Sequence, residues 1–543
     1  MTALLSAEAD RSAVESRGHA AAHRFILAIP AILLALLLVL PFLNKAFAVD
    51  DPVFLLESTQ VMRDFWHPLH FDLCWDNPPV CSAAPLVVPH VTLMAYFLLP
   101  ATWFGSPEWL VHLMQLAALC LGLAATVSIA LRLRCNELEA SLSGLMVAAF
   151  PPTLAYTNGA TPDILAMSLG AAGIDRLLLW RQVRTRSSGV AAAVLLGLAP
   201  LARPHLLLLV PIAAIAIASG TKGQRVRPAR VLSLVAISAT IFLLGVRMAG
   251  SDGANVAIIQ PRLIAAARIV FNLCSYFWYL VIPFPLGLAW MMASRRGAAL
   301  LLAAVAIFAA LTRLGDVNGQ VALIVVCACS AAFVLLATVH KAVRERSWNL
   351  MLLIAWTAIP LAAVSYIHLP PKYLLGGAPA IAILIILFLR KSRFATAFLC
   401  VLLAGCLTLS WLTLRADTEF AGKARLAAED LVRPETAAGH AVWFTGEWGI
   451  YWYAQRAGAR VLMSAGPQPT AGDLLLVGSE GAALNLGERF PHRTLLARKE
   501  YVSRFGRTMS HEAGAGLYSN VVGPFIWSPG NGYLGSYELW RID

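Results

Sequence analysis

Apolar runs of about twenty residues recur along the chain, among them Phe25 to Leu43, Trp109 to Leu131, Val231 to Val246 and Asn349 to Ile367. As helices, each is long enough to cross a hydrocarbon core about 30 Å thick. The pattern predicts an all-α polytopic membrane domain. Composition supports it: 59% of the 543 residues are hydrophobic and only 13% are charged, about half the charged share of a soluble protein. The pattern changes after Leu414. From Arg415 to Asp543, polar and apolar positions alternate in short runs. An amphipathic helix is expected at Thr418 to Val432, strands at Ala441 to Phe444 and Leu474 to Val477, and an aromatic helix at about Glu447 to Ala457. The expected division is a membrane domain over 1–414, with a first outer loop at about 48–107, and a small α/β domain over 415–543.

Charge orients these runs. The net charge of +12 comes from basic residues gathered in short loops, as the positive-inside rule requires, so nucleic-acid binding is not indicated. A leader carrying Arg17, His19, His23 and Arg24 lies inside. Leu86 to Phe104, interrupted by Pro89, His90 and Pro100, is expected to lie along the outer surface; if it crossed, Arg132 and Arg134 would be outside. The basic clusters flanking Gly189 to Gly220 both belong inside, so that stretch folds as a hairpin with Arg203-Pro204-His205 at its outer tip. Continued to the end, this logic yields about thirteen spans and an external C-terminus. Cys74 and Cys81 share the first outer loop, where a disulfide is an open possibility.

Ionisable residues on the outer side are few. Asp50 and Asp51 follow the first span directly; two carboxylates beside a low-dielectric surface repel, so one should have a raised pKa, suited to a general base. The plainer reading is a pair of solvated acids marking a helix end. Asp163, after Pro162, either belongs to a site or simply complements a helix dipole. Arg203, Arg262, Arg268 and Lys372 are cations on the costly side, which calls for an anionic partner, a phosphate or lipid headgroups. There is no GxxxxGK[ST], HExxH or paired CxxC, so no nucleotide loop and no motif-level metal site are expected.

Lys45-Ala-Phe-Ala-Val-Asp-Asp-Pro-Val-Phe-Leu55 resembles the first-loop acidic motif of the GT-C membrane glycosyltransferases. The branch it resembles includes lipid A aminoarabinose transferases and protein O-mannosyltransferases. Asn77-Pro-Pro79, Glu108-Trp-Leu-Val-His-Leu113, Thr161-Pro-Asp163 and Lys372-Tyr-Leu-Leu375 follow in that branch's order, with Gly376 where proline is usual. The resemblance implies transfer of a sugar from a polyprenyl-phosphate donor to an acceptor, left open as lipid, glycan or protein, at the outer face of a bacterial inner membrane. It implies Asp50, Asp51 and Asp163 as catalytic acids, Asp50 leading, and Arg203, Arg268 and Lys372 as donor-phosphate ligands. Besides membrane lipids it names no further partner, and it leaves a divalent cation open. The alternative is a non-enzymatic lipid or polysaccharide translocator, or an envelope assembly protein, of the same fold.

Overall fold

The computed structural model describes residues 22–75, 80–84, 93–218, 227–248, 266–313, 319–390, 392–463, 466–479 and 486–543. Arg17, His19, Asn77-Pro-Pro79, Pro89, His90 and Arg262 lie outside them. Among the described residues, six helices are long and apolar enough to cross a membrane: Ala22–Phe42, Glu108–Arg132, Pro228–Arg247, Gly319–Arg344, Pro371–Leu389 and Ala395–Ala437. Counting two bent pairs raises the number to eight, and three shorter apolar helices add to these. That is fewer than the thirteen expected, for reasons written in the sequence. Pro151 forces Phe150 into an extended conformation (φ −63°, ψ 125°), and Glu137–Ala149 meets Pro151–Thr157 at 60°. Asp163–Val183 has 21 residues but carries Asp163, Asp175, Arg176 and Arg181.

The stretch expected to form a hairpin is two helices separated by a break. Arg186–Ala202 ends at Arg203, which is extended (φ −141°, ψ 111°), the conformation favoured before a proline. A 3₁₀ turn over Pro204–Leu208 then leads into Leu209–Ala218. The described part of 86–104 forms two five-residue helices, Leu93–Phe97 and Leu99–Trp103, each too short to cross a membrane. In the first loop Asp72–Trp75 pairs antiparallel with Val80–Ala83, placing Cys74 opposite Cys81, and the two form a disulfide.

One boundary differs from expectation. The amphipathic helix expected to begin at Thr418 is the continuation of Ala395–Ala427, a single helix of 33 residues. No proline occurs between Ala395 and Arg433, so nothing breaks the backbone hydrogen bonds where the side chains turn polar. Beyond it lies a five-stranded sheet in the order Arg460–Val461, Val442–Thr445, Leu474–Gly478, Gly532–Ile542, Arg493–Ser503. The first three strands are parallel and the last two pair antiparallel. This α/β region packs on the end of the helical domain. Tyr453 Oη accepts from Phe47 N at 2.8 Å, Tyr156 Oη donates to Leu517 O at 2.6 Å, and Leu369 N donates to Asn520 Oδ1 at 2.8 Å. All three contacts fall on the face where the first helix ends and the Asp163 helix begins.

Candidate active site

The chain leaves the first helix, turns through Val49 (φ 46°), and begins the Asp51–Arg63 helix. Asp51 is buried at 2% exposure. Its Oδ2 accepts from Ala48 N at 2.9 Å and its Oδ1 from Ala160 N at 2.6 Å. Gly159 is needed for that approach, since a Cβ there would stand 3.1 Å from Asp51 Oδ1. Burial pushes the Asp51 carboxyl up to about 6, against the pull of Lys45 and the two amides. The expected raised pKa is therefore present, but burial is its main cause; repulsion from Asp50 is a minor contribution.

Asp163 opens its helix after Pro162 and is bound by Arg203 in bidentate fashion, Nε to Oδ1 at 2.8 Å and Nη2 to Oδ2 at 2.6 Å. The Arg203 guanidinium lies 5.2 Å from the centre of the Tyr373 ring. The neighbouring Lys372 donates from Nζ to Asp50 Oδ2 at 3.0 Å. Lys372 is the second residue of the 3₁₀ turn Pro371–Gly377, which Pro370 and Pro371 favour. His368 lies within the fields of Lys372, Asp50, Arg203 and Arg268 together; burial, then Lys372, hold its imidazole down at about 4, so it is neutral at pH 7. Arg268 stands further out, its guanidinium 5.8 Å from the Phe271 ring centre.

Five of the six expected residues thus join through direct contacts or a shared backbone turn, and Arg268 acts by its field on the neighbouring His368. They are not equally open. The Asp50 side chain is 34% exposed and those of Asp163 and Lys372 are 1% and 2%. Asp51 and Asp163 are buried with hydrogen bonds to both oxygens; Asp50, which accepts from Lys372, is the solvent-exposed carboxylate of the three. Among the described residues no three His, Cys, Asp or Glu side chains gather to hold a metal ion.

Sequence reasoning missed a second layer. Lys45, quoted only as part of a motif, is fully buried and pairs with Asp417 at 2.6 Å. Its ammonium also donates to Asn158 O at 2.9 Å and Tyr518 Oη at 3.3 Å, so three donors have three partners. Tyr518 in turn donates to Asp417 Oδ2 at 2.8 Å. The available signal was a lysine set among apolar residues just past a span, which is too costly to bury without a counter-ion.

No family model and no curated protein sequence matches the chain. Solved structures similar to it include the oligosaccharyltransferase of Archaeoglobus fulgidus in the apo form, 13% identical over 82% of this chain, with a TM-score of 0.45. The same archaeal enzyme, AglB, in complex with an inhibitory peptide and a dolichol-phosphate is 12% identical over 81%, also at 0.45. This chain spans 64% of the length of each. ArnT from Cupriavidus metallidurans bound to undecaprenyl phosphate is 14% identical over 86% of this chain and 96% of its own, at 0.44. At these TM-scores the likeness alone assigns neither fold nor activity to this chain. Both kinds of enzyme are GT-C glycosyltransferases, the superfamily whose motifs the sequence resembles.

Proposed function

We propose that this protein transfers a sugar from a polyprenyl-phosphate donor to an acceptor hydroxyl at the extracytoplasmic membrane face, with Asp50 as general base. The observation that carries the reading is the meeting of Asp50, Arg203 and Lys372 from three distant stretches, with Asp50 the open acid. Lys372 uses one of its three N–H donors on Asp50, and Arg203 two of its five on Asp163, so both retain donors for a phosphate. A lipid phosphate leaves readily as an anion, so the protein needs a base for the acceptor and cations for the departing charge. Asp50 takes the acceptor proton as its oxygen attacks the anomeric carbon. Lys372, Arg203 and Arg268 receive the phosphate. Asp163 acts through Arg203, and Asp51 acts by holding the Asn158–Ala160 loop.

In the layout that goes with this reading, the broken and short helices each count as crossings, about thirteen in all. The α/β region, which packs on the same face as Asp50, is then extracytoplasmic. Single-turnover transfer from a polyprenyl-phosphate sugar in vesicles tests the assignment. Asp50→Asn should lower the rate by about 10² to 10⁴-fold at unchanged protein level. A variant that keeps most of the activity removes Asp50 from the chemistry and favours the translocator reading.

A further inference from the structure

The Asp163–Val183 helix begins in the site just described and ends, roughly 31 Å away by its rise per residue, beside a cavity of about 470 Å³. That volume falls within the range of small-molecule sites. Its polar walls are Arg132 and Arg134 from the end of Glu108–Arg132, Arg181, Gln182 and Arg184 from the end of Asp163–Val183, and Asn349 from the start of Trp348–Thr357. Four arginines and no carboxylate line it.

The positive-inside rule alone would put arginines here, at helix C-termini, in water. It does not account for Arg132. That side chain is 2% exposed; its Nε donates to Asp175 Oδ1 at 2.7 Å and its Nη1 to Gln182 Oε1 at 2.9 Å. Its Nη2 is buried and has no hydrogen-bond partner among the described residues. A charged donor left unpaired in a buried wall carries an uncompensated desolvation cost. Asp175 cannot compensate for the cluster. It already accepts from Ser128 Oγ at 2.5 Å and from Arg176 at 2.6 and 3.0 Å besides Arg132. The cavity is therefore cationic, has a buried donor without a partner, and is bordered by the N-terminus of a ten-residue helix, where an anion is favoured.

We propose that this cavity, at the opposite end of the helices from Asp50, binds a phosphate group. Arg132 and Arg181 form its base, Arg134 and Arg184 its rim, and Asn349 its far wall. The bound group is either free phosphate or the headgroup of an anionic lipid in the adjoining leaflet, and it is recognised by the same donors. The inference is independent of the glycosyltransferase reading.

The test uses the purified full chain and two probes. Inorganic phosphate is titrated calorimetrically in phosphate-free buffer. Phosphatidic acid retained by delipidated protein is counted by native mass spectrometry, with phosphatidylcholine as control. Because Arg132 is tied to a buried acid, Arg132→Gln risks misfolding, so the deciding variant is the double change Arg134→Gln, Arg181→Gln, which leaves the Arg132–Asp175 pair intact. Phosphate binding weakened about tenfold or more in the variant, one lost charged hydrogen bond's worth, supports the site with a free anion. Phosphatidic acid retained by the wild type and lost in the variant, without phosphate binding, supports it with a lipid. Binding of neither probe, or equal binding in wild type and variant, overturns it.

Discussion

Replacing Lys45 with methionine gives the sharpest view of how the α/β region and the site depend on each other. The substitution keeps volume and removes an ammonium that is 1% exposed. Three hydrogen bonds disappear, to Asp417, Asn158 O and Tyr518. Asp417, itself fully buried, keeps, among the described residues, the Tyr518 and Thr508 hydroxyls at 2.8 and 3.4 Å. Breaking a buried pair from one side costs about 3–5 kcal/mol, because a charge is left uncompensated. Removing both charges is far milder. Lys45→Met with Asp417→Leu should recover most of that loss, leaving about 1–3 kcal/mol for the stranded Asn158 carbonyl. Equilibrium unfolding in mixed micelles, followed by tryptophan fluorescence, measures all three proteins. A second consequence concerns Asp51, whose carboxyl Lys45 pulls down. In Lys45→Met that carboxyl should titrate at higher pH than about 6, and the acid limb of the pH–activity profile should move the same way. A single variant within 1 kcal/mol of wild type, or a double variant no better than the single, would refute the argument.

Arg203→Lys keeps the charge but cannot span both oxygens of Asp163, so KM for the donor should rise about tenfold or more with a smaller change in kcat, read from initial rates. Two buried groups give opposite pH dependences of stability. Asp51, raised from 3.8 to about 6, binds an extra proton when folded, so stability falls by roughly 3 kcal/mol as pH rises through that window. His368, lowered from 6.5 to about 4, is neutral when folded, so its contribution is lost as pH falls through 6.5 toward 4. Relative to wild type, the change of Tm with pH between pH 4 and 7 should therefore become more positive in Asp51→Asn and less positive in His368→Gln; a shift of the slope in the same direction in both variants contradicts these assignments. Glu108→Gln weakens the acceptor of Tyr453 Oη, at 2.8 Å, and of Arg425, at 3.4 Å, and should speed protease cleavage of the α/β region without altering its fold.

Much of this protein was legible in the amino-acid order. Apolar runs and basic loops are local properties, so the first span and the Glu108–Arg132 helix could be read directly. Pro204 marked the break at Arg203, because the position before a proline disfavours the helical conformation. The helix through Thr418 was misread because a change in side-chain polarity looks like a boundary, although the backbone continues wherever nothing removes its hydrogen bonds. Tertiary structure alone decided the partners. Lys372 and Asp50 are 322 residues apart, and Lys45 and Asp417 meet only where the α/β region closes on the helical domain. Sequence can assign a charge to a membrane face. It cannot say which acid is quenched by amides, which is clamped by arginine and which stays open, because burial and pairing are set by long-range contacts. That is why three acids looked alike in the chain, and why folding leaves Asp50 as the open one of the three.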